Sequence, residues 1–144
     1  MFAGQQEIAR EVLEQVPQRR IATQIEVDGR QPHELARTRS FDYSVMNLRG
    51  MFHLAALGDQ LGLDLWNAQS EDGRGVRRAL DWLIPFATGH QQWRHEQIRD
   101  LEPGKLAPLL RRAAIAYAEP EYAEVARQLG SDPADRTHLF WPLP

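Results

Sequence analysis

Apolar residues recur along most of this chain at intervals of three and four, the pattern of helices that bury one face. The cleanest run is Phe41, Val45, Leu48, Phe52 and Ala55, spaced 4, 3, 4 and 3. It predicts an amphipathic helix from about Ser40 to Leu61, with Gly62 placed to stop it. Upstream, Ile8, Val12, Leu13 and Val16 predict a helical segment within Gln5 to Thr23, broken at Pro17, which has no N–H to donate. Ile25 to Pro32 reads as a loop, because Asp28-Gly29 supplies a turn and Pro32 disfavours helix just before it.

Val76, Leu80, Leu83, Ile84 and Ala87 share a face of a third helix, about Gly75 to Ala87, in which Pro85 is expected to act as a shortening residue. Leu106, Leu109, Leu110, Ala113, Ala114 and Tyr117 mark a fourth, and Pro120 suits the first turn of a fifth that ends near Gly130. No segment reads as sheet. The fold class is therefore all-α, and long helices joined by substantial loops favour stacked helical hairpins over a bundle with tight turns. Asp-Gly-Arg occurs at 28–30 and again at 72–74, each time before a helix. The 44-residue offset suits repeated helix pairs, but three matched residues leave repeat and coincidence equally open.

Composition narrows the function classes. The 144 residues are 42% hydrophobic and 26% charged, enough to bury the core of one ordinary domain. Lys and Arg number 17 against 20 Asp and Glu, so no overall basic field draws the chain to nucleic acid or anionic lipid, and neither is expected as a partner. No apolar run approaches the roughly 20 residues that a bilayer requires. The opening Met1-Phe2-Ala3-Gly4-Gln5-Gln6-Glu7 lacks the basic start and apolar stretch of a signal peptide. Cysteine is absent, which excludes thiol chemistry. His33, His53, His90, His95 and His138 show no metal-ligand spacing, so neither metal nor cofactor is expected.

The segment Glu34 to Ser44 is dense in groups that bind anions or move protons, and it lies where a loop enters the long helix. A helix N-terminus presents unpaired N–H groups, so Arg37 and Arg39 beside it suit a carboxylate. Alternatively Thr38 or Ser40 is simply the N-cap and both arginines are solvated. Tyr43 lies about 200° from Phe41 at about 100° per residue, away from the buried stripe, on a side shared with Asn47, Gly50 and Leu54. Either that side receives more helices, with the phenol satisfied by a neighbour, or it is a working surface. Trp66, Trp82, Trp93 and Trp141 are candidate platforms for sugar rings, Trp82 being better placed for the core. His90 and His95 flank Trp93 in a polar loop. Arg19-Arg20, Arg77-Arg78 and Arg111-Arg112 read as solvated faces or ion pairs.

Gln31-Pro32-x-Glu34-Leu35-x-Arg37-Thr38-x-Ser40-x-x-Tyr43-Ser44 resembles a hallmark of the alginate lyase superfamily. Gly62-Leu63-Asp64-Leu65-Trp66, Asp72-Gly73-Arg74, Arg78 to Leu83 and Pro85 resemble the segments that follow, so the likeness spans about Ile8 to Ile98. The resemblance implies a partial (α/α) toroid, with residues 1–144 as a C-terminal portion of the domain. It also implies cleavage of alginate or another polyuronate by β-elimination, an acidic polysaccharide as partner, and a periplasmic or secreted full-length parent. By the same resemblance Tyr43 exchanges the proton at C5 and Arg37 neutralises the adjacent carboxylate, with Arg39, Asn47 and His33 in contact with substrate. A carboxylate-flanked proton is removable only when that charge is offset and the developing anion is held by prepositioned donors. Family members also use an Asn-His pair on an upstream helix, and this chain has no Asn-His, its only asparagines being Asn47 and Asn67. An incomplete toroid would leave apolar helix faces uncovered, which predicts self-association.

Overall fold

In the computed structural model, which describes residues 3–130, the elements run α1 (Ala3–Glu14), a π-helical turn (Pro17–Ile21), α2 (Ala22–Gln24), α3 (Pro32–Leu35), α4 (Ser40–Gln60), α5 (Val76–Ala87), a 3-10 turn (Pro103–Leu106), α6 (Ala107–Ala116) and α7 (Pro120–Leu129). Among the described residues there is no strand, only the isolated bridges Arg39–Gln97 and Gln69–Gly75. His138 and Trp141 lie outside the described residues.

The stripe on α4 organises the core. Phe41, Val45, Leu48, Phe52 and Ala55 are all buried, joined from α5 by Val76, Ala79, Leu80 and Leu83 and from α6 by Leu109, Leu110 and Ala113. Burying a side chain of the size of Phe or Leu contributes about 1.5–3 kcal/mol, so this stripe outweighs any single polar contact in fixing where α4 lies. The short link from Tyr117 to Glu119 returns α7 against α6, giving a helical hairpin in which Tyr122 and Ala126 of α7 face the core.

Three expectations are corrected. Pro17 does break the first segment, but the chain continues through a wider π turn into α2. Of its four apolar residues only Leu13 and Val16 are buried, whereas Ile8 and Val12 are 63% and 59% exposed. The cause is that α1 meets α4 through its later turns, where Arg10 donates to the Leu61 carbonyl, so the face bearing Ile8 and Val12 has nothing against it among the described residues. Pro85 does not shorten α5, which continues to Ala87. Trp66 is no sugar platform: it is buried, edge-on to Phe52 and Tyr117, with its ring N–H donated to Asp59.

The two Asp-Gly-Arg segments form the same turn. Glu26 N–H donates to the Arg30 carbonyl at 2.8 Å, and Ser70 N–H donates to the Arg74 carbonyl at 3.0 Å. Gly29 N–H donates to Glu26 and Gly73 N–H to Ser70, both at 2.9 Å, and in each turn the arginine pairs with its own aspartate. Both glycines have positive φ, +97° and +84°, which the tripeptide pattern alone did not reveal. The turns therefore match in hydrogen bonding as well as in sequence.

Their surroundings differ, and that yields a prediction. A Cβ on Gly29 would lie 2.3 Å from the Arg78 carbonyl oxygen and 2.8 Å from Trp82 Cβ, while one on Gly73 would meet nothing within 4 Å. Gly73→Ala should cost only the backbone penalty, about 1–2 kcal/mol. Gly29→Ala must also push the turn off α5 and should cost at least about 3 kcal/mol. Urea unfolding of both variants decides, and equal losses would contradict the packing described.

Candidate active site at the start of the long helix

The chain enters α4 through a short bracket made with the segment 96–98. Ser40 N–H donates to the Glu96 carbonyl at 3.1 Å, and Ile98 N–H donates to the Thr38 carbonyl at 2.9 Å. The Ser40 hydroxyl also donates to Glu96, and it accepts the Trp93 ring N–H at 3.0 Å. The Phe41 N–H, free in an uncapped helix, is taken by Gln97 Oε1 at 3.1 Å. The expected side-chain cap from Thr38 or Ser40 is not formed. The cap comes from Gln97 across the fold rather than from Thr38 or Ser40, and it occupies an amide that a carboxylate would otherwise use. No local spacing signals a cap from 56 residues away.

Trp93 supports the bracket from behind. It lies edge-on to Phe41, Phe86, Trp82 and His95, with ring centroids 5.1–5.7 Å away. The polar loop around it is thus anchored by an aromatic cluster, and Trp93 is partly buried rather than offered to solvent.

On this junction the two principal candidates meet. The Arg37 guanidinium carbon is 3.9 Å from the centroid of the Tyr43 ring, a stacked cation–π contact. Arg37 is half-exposed and lies 4.0 Å from Glu34, its one carboxylate partner among the described residues. Such a stack is worth about 0.5–1 kcal/mol where solvent reaches it, less than the roughly 1.5–3 kcal/mol of a hydrogen bond to a charged group. The guanidinium is accordingly held over the phenol yet free to turn its donors to an incoming anion.

Arg39 is placed differently. Its Nε and Nη2 are 2.9 and 2.7 Å from Asp42 Oδ2, and Lys105 Nζ is 3.0 Å from Asp42 Oδ1. Burial raises the Asp42 carboxyl, but the hydrogen bonds and charges of Lys105 and Arg39 together outweigh it and hold the group below its ordinary value. Arg39 is therefore engaged in an ion cluster with Asp42, Lys105 and Glu102 that ties α4 to the 3-10 turn.

Among the three tyrosines, the structure separates one from the others. The Tyr117 hydroxyl donates to the Trp66 carbonyl at 3.0 Å, and the Tyr122 hydroxyl donates to Asp81 at 2.6 Å while accepting from Arg77. Burial pushes both of these phenols well up from their ordinary value. Tyr43 is partly exposed, and its hydroxyl has no hydrogen-bond partner among the described residues. Gly50, on the same side of α4, would find nothing within 4 Å of a Cβ, so among the described residues no further helix packs there.

Asn47 is half-buried one turn beyond Tyr43, and its Nδ2 donates to Gln31 Oε1 at 2.9 Å. His33 is exposed on α3 and makes no side-chain contact with Arg37 or Tyr43 among the described residues. Arg37, Tyr43 and Asn47 thus form one surface, with Arg39 beside it but engaged. A cleft of about 690 Å³ lies elsewhere, between the π turn and the Ser70–Arg74 turn. It is poorly suited to an anion, because Glu71 and Asp72 line it and its Arg74 is already bonded to Asp72 and to the Ala22 and Ile25 carbonyls. No group of three or more His, Cys, Asp or Glu suited to hold a metal ion occurs among the described residues. Nor is any helix there long and apolar enough to cross a membrane.

The chain is similar to known proteins in sequence and in fold. Residues 1–93 match the family model described as alginate lyase. A solved structure of an alginate lyase from Bacteroides ovatus superposes with a TM-score of 0.89 at 36% sequence identity, covering 98% of this chain and 38% of that one. The chain thus spans about 38% of the length of that relative. No curated protein matches the chain. The superposition fits the helix pairs described here to an all-α toroid, in line with the sequence expectation.

The ion cluster around Asp42 predicts a pH effect. A carboxyl whose folded value is depressed stabilises the fold above its unfolded value, near 4, and that contribution is lost as pH falls through the lower folded value. Asp42→Asn should therefore lower the unfolding temperature at pH 7, and the gap to the parent should close between about pH 4 and pH 2. A gap that stays constant down to pH 2 would show that Asp42 contributes nothing through its charge.

Proposed function

The chain belongs to the alginate lyase family, and from that premise we propose that it carries the arginine–tyrosine part of a polysaccharide lyase site acting on alginate or a related polyuronate. The observation that supports this reading most is the 3.9 Å stack of Arg37 on Tyr43, where a half-exposed cation and an unbonded phenol share one open surface. In the proposed reaction Arg37 turns its donors to the uronate carboxylate and offsets its charge. Tyr43, acting through its ionised oxygen, takes the C5 proton and becomes the phenol, the resulting anion is held by the cation beside it, and the bond from C4 to the leaving oxygen breaks with its electron pair leaving on that oxygen. A double bond between C4 and C5 remains, and the phenol is placed to return a proton to the departing sugar oxygen.

Arg39 lies beside this surface and would contribute to substrate only in competition with Asp42, and His33 is exposed on α3. The Asn-His pair expected from the family resemblance has no counterpart in this chain. The proposal therefore gives residues 1–144 one portion of a toroid domain and one portion of its site. An acidic-sugar-binding surface without turnover is the second reading, favoured by the same Arg37 geometry and by that missing pair.

The two are separated by incubating polyuronate with the chain, alone and together with the complementary segment of a full-length relative. Absorbance near 230 nm, the mark of a conjugated unsaturated uronate, is expected in the combined sample. Tyr43→Phe should reduce the rate at least about a hundredfold, the scale of a lost general base. Full activity in that variant would overturn the assignment of Tyr43, and binding with no absorbance in either sample would favour the second reading.

A further inference from the structure

Gln31 opens the motif that carries the family resemblance, yet neither the chemistry nor the core requires a glutamine there. It is 1% exposed, among the most enclosed polar side chains described. Its Nε2 donates to the Ser44 carbonyl at 3.2 Å, and its Oε1 accepts from Asn47 Nδ2 at 2.9 Å. Its own carbonyl accepts from Glu34 and Leu35 at 3.0 and 2.9 Å, forming the first turn of α3, the element that leads to Arg37. One side chain thus ties the carrier of the arginine to the helix that carries the tyrosine.

The orientation of both amides follows from the chemistry of the last partner. A backbone carbonyl only accepts, so the nitrogen of Gln31 must face Ser44 and its oxygen must face Asn47. Asn47 is then obliged to point its nitrogen inward. Its Oδ1 has no hydrogen-bond partner among the described residues, and Asn47 lies four residues after Tyr43, on the same face of α4.

We infer that Gln31 is a positioning residue that locks the Asn47 amide so that its oxygen, not its nitrogen, faces the sugar beside Tyr43. This rests on the function proposed above. An oxygen acceptor repels a carboxylate and suits a hydroxyl donor, so the two recognition tasks divide: Arg37 takes the uronate carboxylate and Asn47 a neighbouring ring hydroxyl.

With only two asparagines in the chain, asparagine-selective ¹⁵N labelling resolves both side-chain amides, and a mannuronate trisaccharide serves as the probe. In the parent protein the Asn47 amide protons should exchange with water about tenfold more slowly than those of exposed Asn67, a measurement that stands even if a variant fails to fold. Gln31→Met, similar in length, should shift the Asn47 pair, leave the Asn67 pair in place and weaken trisaccharide binding about tenfold, the scale of one lost hydrogen bond. Fast exchange of Asn47 in the parent, or an unmoved Asn47 pair in Gln31→Met, would overturn the lock. Unchanged binding in folded Gln31→Met, while Arg37→Ala abolishes it, would overturn the positioning role and leave the proposed function intact. No binding by the parent would instead overturn the proposed function, and the positioning role with it.

Discussion

The geometry of the candidate site depends on how the chain is held as it turns into α4. Arg37 precedes the helix and Tyr43 lies within its first turns, so their separation is set by the backbone between them. That backbone is fixed on one side by the bracket of Thr38 and Ser40 with residues 96–98, and on the other by Gln31. Fixing a residue costs about 1–2 kcal/mol in conformational entropy, more than a typical net hydrogen bond returns. The burial of Phe41 against Trp93 supplies the difference, which is how an aromatic cluster behind the junction governs a polar surface in front of it.

Charge is divided in the same economical way. Two arginines separated by one residue have opposite duties: Arg39 is fixed by Asp42 and Lys105, and Arg37 rests on an aromatic face. A cation in a strong ion pair is a poor ligand for a second anion, since the first must be released. A cation stacked on a phenol gives up far less on turning to substrate. The phenol is in turn distinguished from Tyr117 and Tyr122 by having no competing partner for its oxygen among the described residues.

Much of the fold was legible because the period of the apolar residues and the period of the helix coincide. The stripe on α4 and the faces of α5 and α6 are buried where the spacing puts them. What escaped was set by neighbours distant in sequence. Ile8 and Val12 have the spacing of buried residues but no neighbour among the described residues to bury them, and Trp66 is enclosed by Phe52 and Tyr117. At the site, the Arg37–Tyr43 pair was readable from the motif, whereas the Gln97 cap and the engagement of Lys105 with Asp42 join residues 56 and 63 positions apart, beyond any local pattern. The weight of Gln31 was hidden for another reason: a glutamine before a proline looks like ordinary loop until its burial is known.

The central claim is that an acidic sugar is received by the open face shared by Arg37 and Tyr43. Three tyrosines make it directly observable, because ring-labelled tyrosine gives one reporter on this face and two whose hydroxyls are bonded elsewhere in the fold. On titration with a uronate oligosaccharide, the Tyr43 ring and the Arg37 side-chain nitrogen resonances should move together and saturate at one concentration, while Tyr117 and Tyr122 stay still. Saturable shifts confined to the turn around Asp72 and Arg74, with Tyr43 and Arg37 unmoved, would place the sugar elsewhere and contradict the account.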